Sequence, residues 1–427
     1  MGFVLVGAAL QTSAFNVTHL VIGRVVTGFG TGIKTSTVPM YQAELCKREK
    51  RGRLVSAEVL FVGVGIVFAY WFDFGMSYAG GAIAWRLPIA FQMLFALGVI
   101  IIVFGIPESP RWLVNHGRKE EAQETLCAVY DTNHDDPYII AEMEAIERAI
   151  AMEGSATGVQ AFTSIFRKDE VRTRYRILLA WGVQFMNQAG GINLVVYYIP
   201  SVLVQNVGME ARIAQVVGGC VVMMFMFGSI LPSLALDRMG RRKTMITGCA
   251  SLGICMMFIS ALLSKAEDPV HGRSYASASV TFFFLYMLFF GMSVNCVPWV
   301  YVPEILPLEA RTKGTAIGIS SNWIWNFTVV MITPVIINRL QWKAYLIFMA
   351  TNLAFVPIFY FFYPETSNLG LEDIDFIFTA GGNPVSVARQ MQKELGSKDN
   401  ISRRPSLVQV EPSSQSKEPI AETVEKV

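Results

Sequence analysis

The sequence predicts an all-α protein, a polytopic membrane helix bundle, and composition, apolar run length and the placement of one polar insert together predict it. Hydrophobic residues make up 53% of the 427, charged residues only 16%, and the mean hydropathy is +0.43, too apolar for a soluble chain of this length. Apolar runs long enough to cross a hydrocarbon core of roughly 30 Å recur from the first residue. Short polar loops separate them, except for one long polar stretch over residues 108–176.

The apolar runs are residues 1–14, 20–40, 54–70, 89–106, 177–204, 213–236, 244–263, 280–302, 315–337 and 345–363. The first is short, but no basic segment precedes it and no cleavage site follows, so it reads as a membrane helix rather than a signal peptide. Lys47, Arg48, Lys50, Arg51 and Arg53 fill the loop after the second run, and Arg238, Arg241, Arg242 and Lys243 the loop after the sixth. The positive-inside rule puts both loops in the cytosol, and the polar insert and both termini fall on that side. The expected location is a multi-pass membrane protein of the plasma membrane. On the opposite face the tripeptide Asn16, Val17, Thr18 is a glycosylation sequon, too close to the bilayer to favour modification.

The polar insert carries apolar residues at helical spacing over 120–129 and 141–152, as amphipathic helices lying under a bundle do. It divides the chain into an N-terminal membrane half (1–107), a cytosolic bridge (108–176), a C-terminal six-helix half (177–363) and a cytosolic tail (364–427). From about Gly381 the tail turns to Ser, Pro, Lys, Glu and Gln and is expected to be disordered. Within it Arg403, Arg404, Pro405 and Ser406 resemble a basophilic kinase site.

Several classes are excluded. A net charge of +2 with no basic patch beyond loop clusters gives nucleic acid nothing to bind. Four cysteines lie inside apolar runs and Cys46 and Cys127 in cytosolic loops, so neither a disulfide framework nor zinc spacing is present. The four histidines are scattered, no metal or other cofactor is implied, and no nucleophile, base and orienting group share a plausible site, which argues against an enzyme. No obligate protein partner is evident.

The residues that promise chemistry lie in the fifth run, which contains QFMNQAGGINLVVYY over 184–198. Gln184, Asn187 and Gln188 fall at i, i+3 and i+4, so three uncharged amides share one helical face at membrane depth. Such a face avoids lipid. Either an interhelical seam or a wet cavity holding a polyhydroxylated solute satisfies it. Gly190 and Gly191 then loosen the helix, Asn193 adds a fourth amide, and backbone groups become available to a ligand. A neutral sugar suits amides because each hydroxyl both donates and accepts. Glu58, a turn or two into the third run, is a carboxyl with four readings: neutral, paired with a base, reaching water, or carrying a proton.

Motifs along the chain resemble the sugar porter family of the major facilitator superfamily, which includes facilitative glucose transporters and fungal hexose permeases. They are GRVVTGFGTG and PMYQAE within 23–44, RGRL at 51–54, PESPRWL at 107–113, QFMNQAGGIN with Tyr197 and Tyr198, DRMGRR at 237–242, VPWVYVPEILPLEAR at 297–311, SNWIWN ending at Asn326, and PETSNLGLEDID at 364–375. Each is weak alone; in family order over about 2–376 they are specific. The resemblance implies the major facilitator fold, with about ten of the family's twelve helices, because motif order sets the first run on the family's third helix. It implies transport of monosaccharides or related sugars by alternating access, passive or proton-coupled, at the midplane between two halves. Sugar-binding positions carry over onto Gln184, Gln188, Asn193, Trp299 and Asn326, with Asn187 where relatives usually have Gln. Trp299, between Pro298 and Pro303, is then a stacking ring rather than an interfacial aromatic. Val59 stands where a Gln is expected and Phe225 where an Asn is frequent. Tyr197 and Tyr198 become an outer gate instead of core packing. Glu44, Arg51, Glu108, Arg111, Asp237, Arg241, Arg242, Glu304 and Arg311 become a breakable conformational latch at the cytosolic helix ends, against the plainer view of surface pairs worth under about 1 kcal/mol each. The expected partners are a small-molecule sugar, protons and the lipid bilayer.

Two other functions stand beside sugar transport. A sugar sensor without net transport would signal through its tail, but family sensors have tails longer than residues 381–427. A carrier of polyols or quinate-like acids would need, for an acid, a basic residue in the pocket, and none is near residues 184–193 in sequence.

Overall fold

The computed structural model describes residues 1–46, 51–153, 169–266, 268–307, 310–367, 369 and 371–396. The N-terminal half consists of α1 (Gly2–Thr12), α2 (Val17–Leu45), α3 (Arg51–Met76) and α4 (Ile83–Val103). The bridge forms α5 (Pro110–Asn115), α6 (Lys119–Tyr130) and α7 (Pro137–Glu153). The C-terminal half follows as α8 (Thr173–Ala189), α9 (Ile192–Val207), α10 (Ala211–Met239), α11 (Arg241–Leu263), α12 (Gly272–Met292), α13 (Val297–Ile305), α14 (Arg311–Leu340) and α15 (Lys343–Phe362), and the tail adds α16 (Leu371–Thr379) and α17 (Pro384–Gly396).

Among the described residues seven spans are long and apolar enough to cross a membrane, counting α12 and α13 together as one. The remaining expected spans differ for physical reasons. α1 has only 11 residues. α2 is 29 residues long but is diluted by threonines, Arg24 and Lys34. The fifth apolar run is not one helix: it breaks between α8 and α9, where Gly191 adopts φ +95°. A Cβ there would sit 2.6 Å from the Phe348 ring, so neither the backbone conformation nor the space admits another residue without strain.

One further expectation needs correction. The tail keeps structure past Gly381, since Pro384–Gly396 forms α17, whose Val385 and Ala388 are buried. Its apolar residues recur at helical spacing among polar ones, enough to dock a helix though not to build a core. Arg403 to Ser406 lie outside the described residues. Asn16 caps α2, accepting from the His19 N–H at 2.8 Å, which gives the sequon asparagine a structural role.

The buried core lies almost wholly in the C-terminal half, where α11 packs along α15, α10 along α12 and α8 along α14. Gly228 and Gly291 let α10 and α12 approach closely; a Cβ on either would stand within 2.4 Å of a backbone oxygen of the other helix. The two halves meet along α3 and α10, where Tyr70 and Trp71 lie against Gly218 and Gly219 and the Tyr70 hydroxyl donates to the Gln215 carbonyl at 2.8 Å. On the other side Trp323 of α14 donates to Thr35 of α2 at 3.4 Å. Beneath, α5 to α7 pack through small clusters around Leu113, Ala122, Leu126 and Ile139.

The glycine pair yields a direct test. Gly191→Ala should lower stability by roughly 2–4 kcal/mol, combining a left-handed backbone with overpacking. Gly208→Ala, also at positive φ but facing open space, should cost only about 1–2 kcal/mol. Unfolding of the purified protein in detergent measures both; equal losses would show that contact with Phe348 is unimportant.

Candidate functional site

Breaking a helix inside a bilayer frees carbonyls that no water can satisfy. Here α15 and α12 provide the donors: Thr351 to the Ala189 carbonyl at 3.1 Å, Asn352 to the Gly190 carbonyl at 2.8 Å and the Tyr286 hydroxyl to the same oxygen at 3.0 Å. The expected free backbone groups are therefore engaged by protein. A second break separates α12 from α13 at residues 293–296, and Asn187 donates to the Val294 carbonyl within it at 2.7 Å.

The amides of α8 and α9 converge with two from α14. Gln188 Nε2 donates to Asn187 Oδ1 at 3.0 Å and to Asn322 Oδ1 at 3.1 Å. Its Oε1 accepts from Asn193 at 2.8 Å and from Asn326 at 3.3 Å. Asn326 also donates to Asn193 at 3.1 Å, and Asn322 donates to Gln184 at 2.7 Å. Gln184, Asn187, Gln188, Asn193 and Asn322 are all buried, and Asn326 half-buried. One donor is left over: Gln184 Nε2 is buried without a hydrogen-bond partner. Asn187 differs from the others because its amide donor goes to a backbone carbonyl at the second helix break, while its Oδ1 accepts within the cluster from Gln188 and Asn322.

Gln184 and half-buried Trp299 line a cavity of about 40 Å³ together with Glu44, Arg111 and Arg311. At about 10–15 Å³ per water it holds a few waters and no hexose. Trp299 borders it from α13, as a ring held between two prolines would. Tyr198 donates to the Val330 carbonyl at 3.2 Å, tying α9 to α14, whereas Tyr197 is exposed. Val59 and Phe225 are buried in apolar surroundings, Phe225 stacked on Phe290 at 6.0 Å, so neither adds a polar contact. Glu58 is half-buried and its Oε2 has no hydrogen-bond partner.

Eight of the nine latch residues have described side chains, and they fall into separate groups. Arg241 is buried and pairs with Asp237 at 2.8 Å and Glu304 at 2.9 Å. Thr366 donates to Glu304 at 2.7 Å, and Glu365 accepts from the Arg241 and Arg242 N–H groups at 2.7 and 3.0 Å. This cluster joins α10, α11, α13 and residues 365–367 within the C-terminal half. Glu44 instead accepts from Ser109 at 2.5 Å and shares the cavity wall with Arg111 and Arg311. Glu108 is exposed, the Arg51 side chain lies outside the described residues, and Arg242 turns away from Asp237 and Glu304 to donate to the Tyr360 carbonyl at 2.6 Å. That last placement differs from the expected latch: consecutive helical residues point about 100° apart, so the side chains of Arg241 and Arg242 take different partners.

A family model for "Sugar (and other) transporter" matches residues 2–378. The chain belongs to the sugar porter family of the major facilitator superfamily. Among its relatives, the MFS-type transporter oryC of Aspergillus oryzae is 39% identical over 90% of this chain and 71% of the relative. The sugar transporter STL1 of Saccharomyces cerevisiae is 34% identical over 91% and 68%, and a quinate permease of Neurospora africana 30% identical over 88% and 72%. The fold is that of the proton:xylose symporter XylE solved with 6-bromo-6-deoxy-D-glucose, with TM-score 0.75 and 22% identity over 88% of this chain and 81% of that one. This membrane transporter thus has the expected bundle architecture.

Sequence reasoning overlooked Asn322, which lies one helical turn before Asn326 in SNWIWN, an i, i+4 pair that the rule applied to α8 would have found. Glu365, Tyr286, Thr351 and Asn352 were also missed; only the last two carry a pattern, a polar pair in an apolar run.

Removing Arg241 tests the charged cluster. Arg241→Ala leaves Glu304 and Asp237 facing one another without their cation and should cost about 3–5 kcal/mol of stability. Unfolding in detergent reads the loss; a change under about 1 kcal/mol would mean the cluster is solvated rather than buried.

Proposed function

We propose that this transporter moves a neutral polyhydroxylated solute, a monosaccharide or a polyol, by alternating access, with Gln184, Gln188, Asn193, Asn322, Asn326 and Trp299 as its binding surface. The observation that carries this is the closed amide cluster beside two helix breaks. Without ligand the amides satisfy one another at lengths of 2.7–3.3 Å. Sugar hydroxyls offer the same donors and acceptors, so exchange costs little and desolvation of the solute is offset. Gln184 Nε2 offers the oxygen of an incoming hydroxyl a hydrogen-bond donor that no protein group competes for. Asn187, whose amide donor is held by the Val294 carbonyl, is left out of this surface, which narrows the set of recognising groups.

The Gly190–Gly191 break lets α9 swing against α8, carrying Tyr197 and Tyr198 as the outer gate. On the cytosolic side the walls bearing Glu44, Arg111 and Arg311 separate as the solute leaves, and the cluster of Asp237, Arg241 and Glu304 holds the C-terminal half rigid during that motion. Glu58, whose Oε2 has no partner in the described structure, is the group we assign to proton coupling. The protein resides in the plasma membrane with both termini in the cytosol.

A second reading has its own support. Arg111 and Arg311 line the same cavity as Gln184 and Trp299, so a hydroxylated carboxylic acid would meet cations that are distant in sequence. Relatives named quinate permeases, 30–31% identical, favour the same alternative.

Uptake decides among these. The protein expressed from its full natural gene in yeast lacking hexose carriers should take up labelled hexose, pentose or polyol, and Gln188→Ala should reduce kcat/KM at least tenfold, about 1.4 kcal/mol. Uptake of none of them would remove the proposal, and uptake of quinate alone, lost in Arg311→Gln, would replace it with the second reading. For coupling, wild-type uptake should fall as external pH rises from 5 to 8, and Glu58→Gln should flatten that dependence while leaving exchange of labelled for unlabelled solute. An unchanged pH profile would exonerate Glu58.

A further inference from the structure

On the cytosolic face a second cavity, of about 260 Å³, opens between the start of α11 and α17. Arg242, Lys243, Arg389 and Lys393 line it, together with Gln392, Val385 and Glu365. These four cations come from segments about 145 residues apart in sequence and are brought together only by docking of the tail helix. Positive-inside topology explains basic loops but does not require them to converge on one concavity.

The single carboxylate does not neutralise them. Glu365 is buried and accepts from the backbone N–H groups of Arg241, Arg242, Thr366 and Ser367 at 2.7, 3.0, 3.2 and 3.2 Å. Arg242 and Arg389 both address the Tyr360 ring, at 4.9 and 6.0 Å, which crowds two guanidinium groups onto one aromatic side chain. Arg242 spends Nη2 on the Tyr360 carbonyl, while its Nε is buried without a hydrogen-bond partner. Arg389 and Lys393 fall at i and i+4 on α17, so both lie on one face of the helix, while Ala388 on a different face is fully buried. Like charges gathered in this way are stabilised by an anion of matching size.

The level of the cavity indicates which anion. Tyr360, Phe361 and Phe362 end α15 and are 47–60% exposed, as residues at the edge of the bilayer are. The cavity beside them is therefore at headgroup depth. Guanidinium forks and ammonium groups together recognise phosphate oxygens, the former in pairs and the latter as a point charge. We propose that Arg242, Lys243, Arg389 and Lys393 form a binding site for a phosphate-bearing anion at the cytosolic membrane surface, supplied by a phosphorylated lipid headgroup or by a soluble phosphorylated metabolite. Occupancy ties the tail helix to α11 directly beside Arg241.

The test uses the natural full-length protein in nanodiscs of phosphatidylcholine alone, with phosphatidylserine, or with phosphatidylinositol 4-phosphate, and, separately, inositol hexakisphosphate or glucose 6-phosphate added to the phosphatidylcholine discs. Thermal unfolding and native mass spectrometry read binding. The expected result is that the phosphoinositide or a soluble phosphate binds and raises the unfolding temperature, and that Arg389→Gln with Lys393→Gln weakens it at least tenfold. Arg389→Lys with Lys393→Arg should keep most of it, and Lys243→Gln, an exposed substitution that leaves α17 intact, should weaken it several-fold. Binding of only the lipid or only the soluble anion identifies the source. No binding of either, binding indifferent to all these substitutions, or equal retention of phosphatidylserine and phosphoinositide in wild type and the double variant would overturn the site. None of these outcomes bears on solute transport.

Discussion

Everything in the central region follows from the need to satisfy polar groups where there is no water. In hydrocarbon an unpaired amide or carbonyl costs several kcal/mol. This chain nevertheless places a cluster of buried amides and two helix breaks at the core of its C-terminal half. The breaks are held by Asn187, Tyr286, Thr351 and Asn352, and the amides are held by each other. Such an arrangement is stable while closed, and each of its hydrogen bonds is one that another neutral donor or acceptor could replace. No charged side chain among the described residues takes part in these hydrogen bonds.

The charged groups act elsewhere, at the cytosolic ends of the helices. Arg241, Asp237, Glu304, Glu365, Thr366 and Ser367 form one buried and densely bonded block, and it binds the C-terminal half to itself. Glu44 of the N-terminal half, Arg111 of the bridge and Arg311 of the C-terminal half line one narrow cavity. Shifting an alternating-access equilibrium from one side to the other takes only a few kcal/mol, so a rigid block and a small separable contact suffice. The α3–α10 contact, built on glycines against Tyr70 and Trp71, joins the halves closely along one edge, whereas α14 and α2 meet sparsely through Trp323 and Thr35.

Periodicity and composition made the bundle, the bridge helices and the amide face of α8 legible before any coordinates. An i, i+3, i+4 pattern reports which side chains share a face. It does not report what stands opposite, so the commitment of Asn187 to the Val294 carbonyl was hidden, as were the donors from α12 and α15 that cap the Gly190 break. The Gly190–Gly191 pair signalled a weak point, but only the φ of Gly191 and the nearness of Phe348 show a complete break. Family motifs located the latch residues individually. They could not separate Arg241 from Arg242, whose directions diverge with the helical turn, nor gather Arg111 and Arg311 beside Gln184. α17 escaped notice because its polar composition masks an apolar stripe just sufficient to dock.

The central claim is that the amides bind one another only in the absence of solute. A structure of the full-length protein determined with the solute it takes up, compared with one determined without it, measures this. The account predicts that Gln188 and Asn193 exchange their mutual hydrogen bond for solute hydroxyls, that Gln184 Nε2 gains a partner and that Asn187 keeps the Val294 carbonyl. Solute bound elsewhere, with the Gln188, Asn193 and Asn322 hydrogen bonds unchanged, would contradict it.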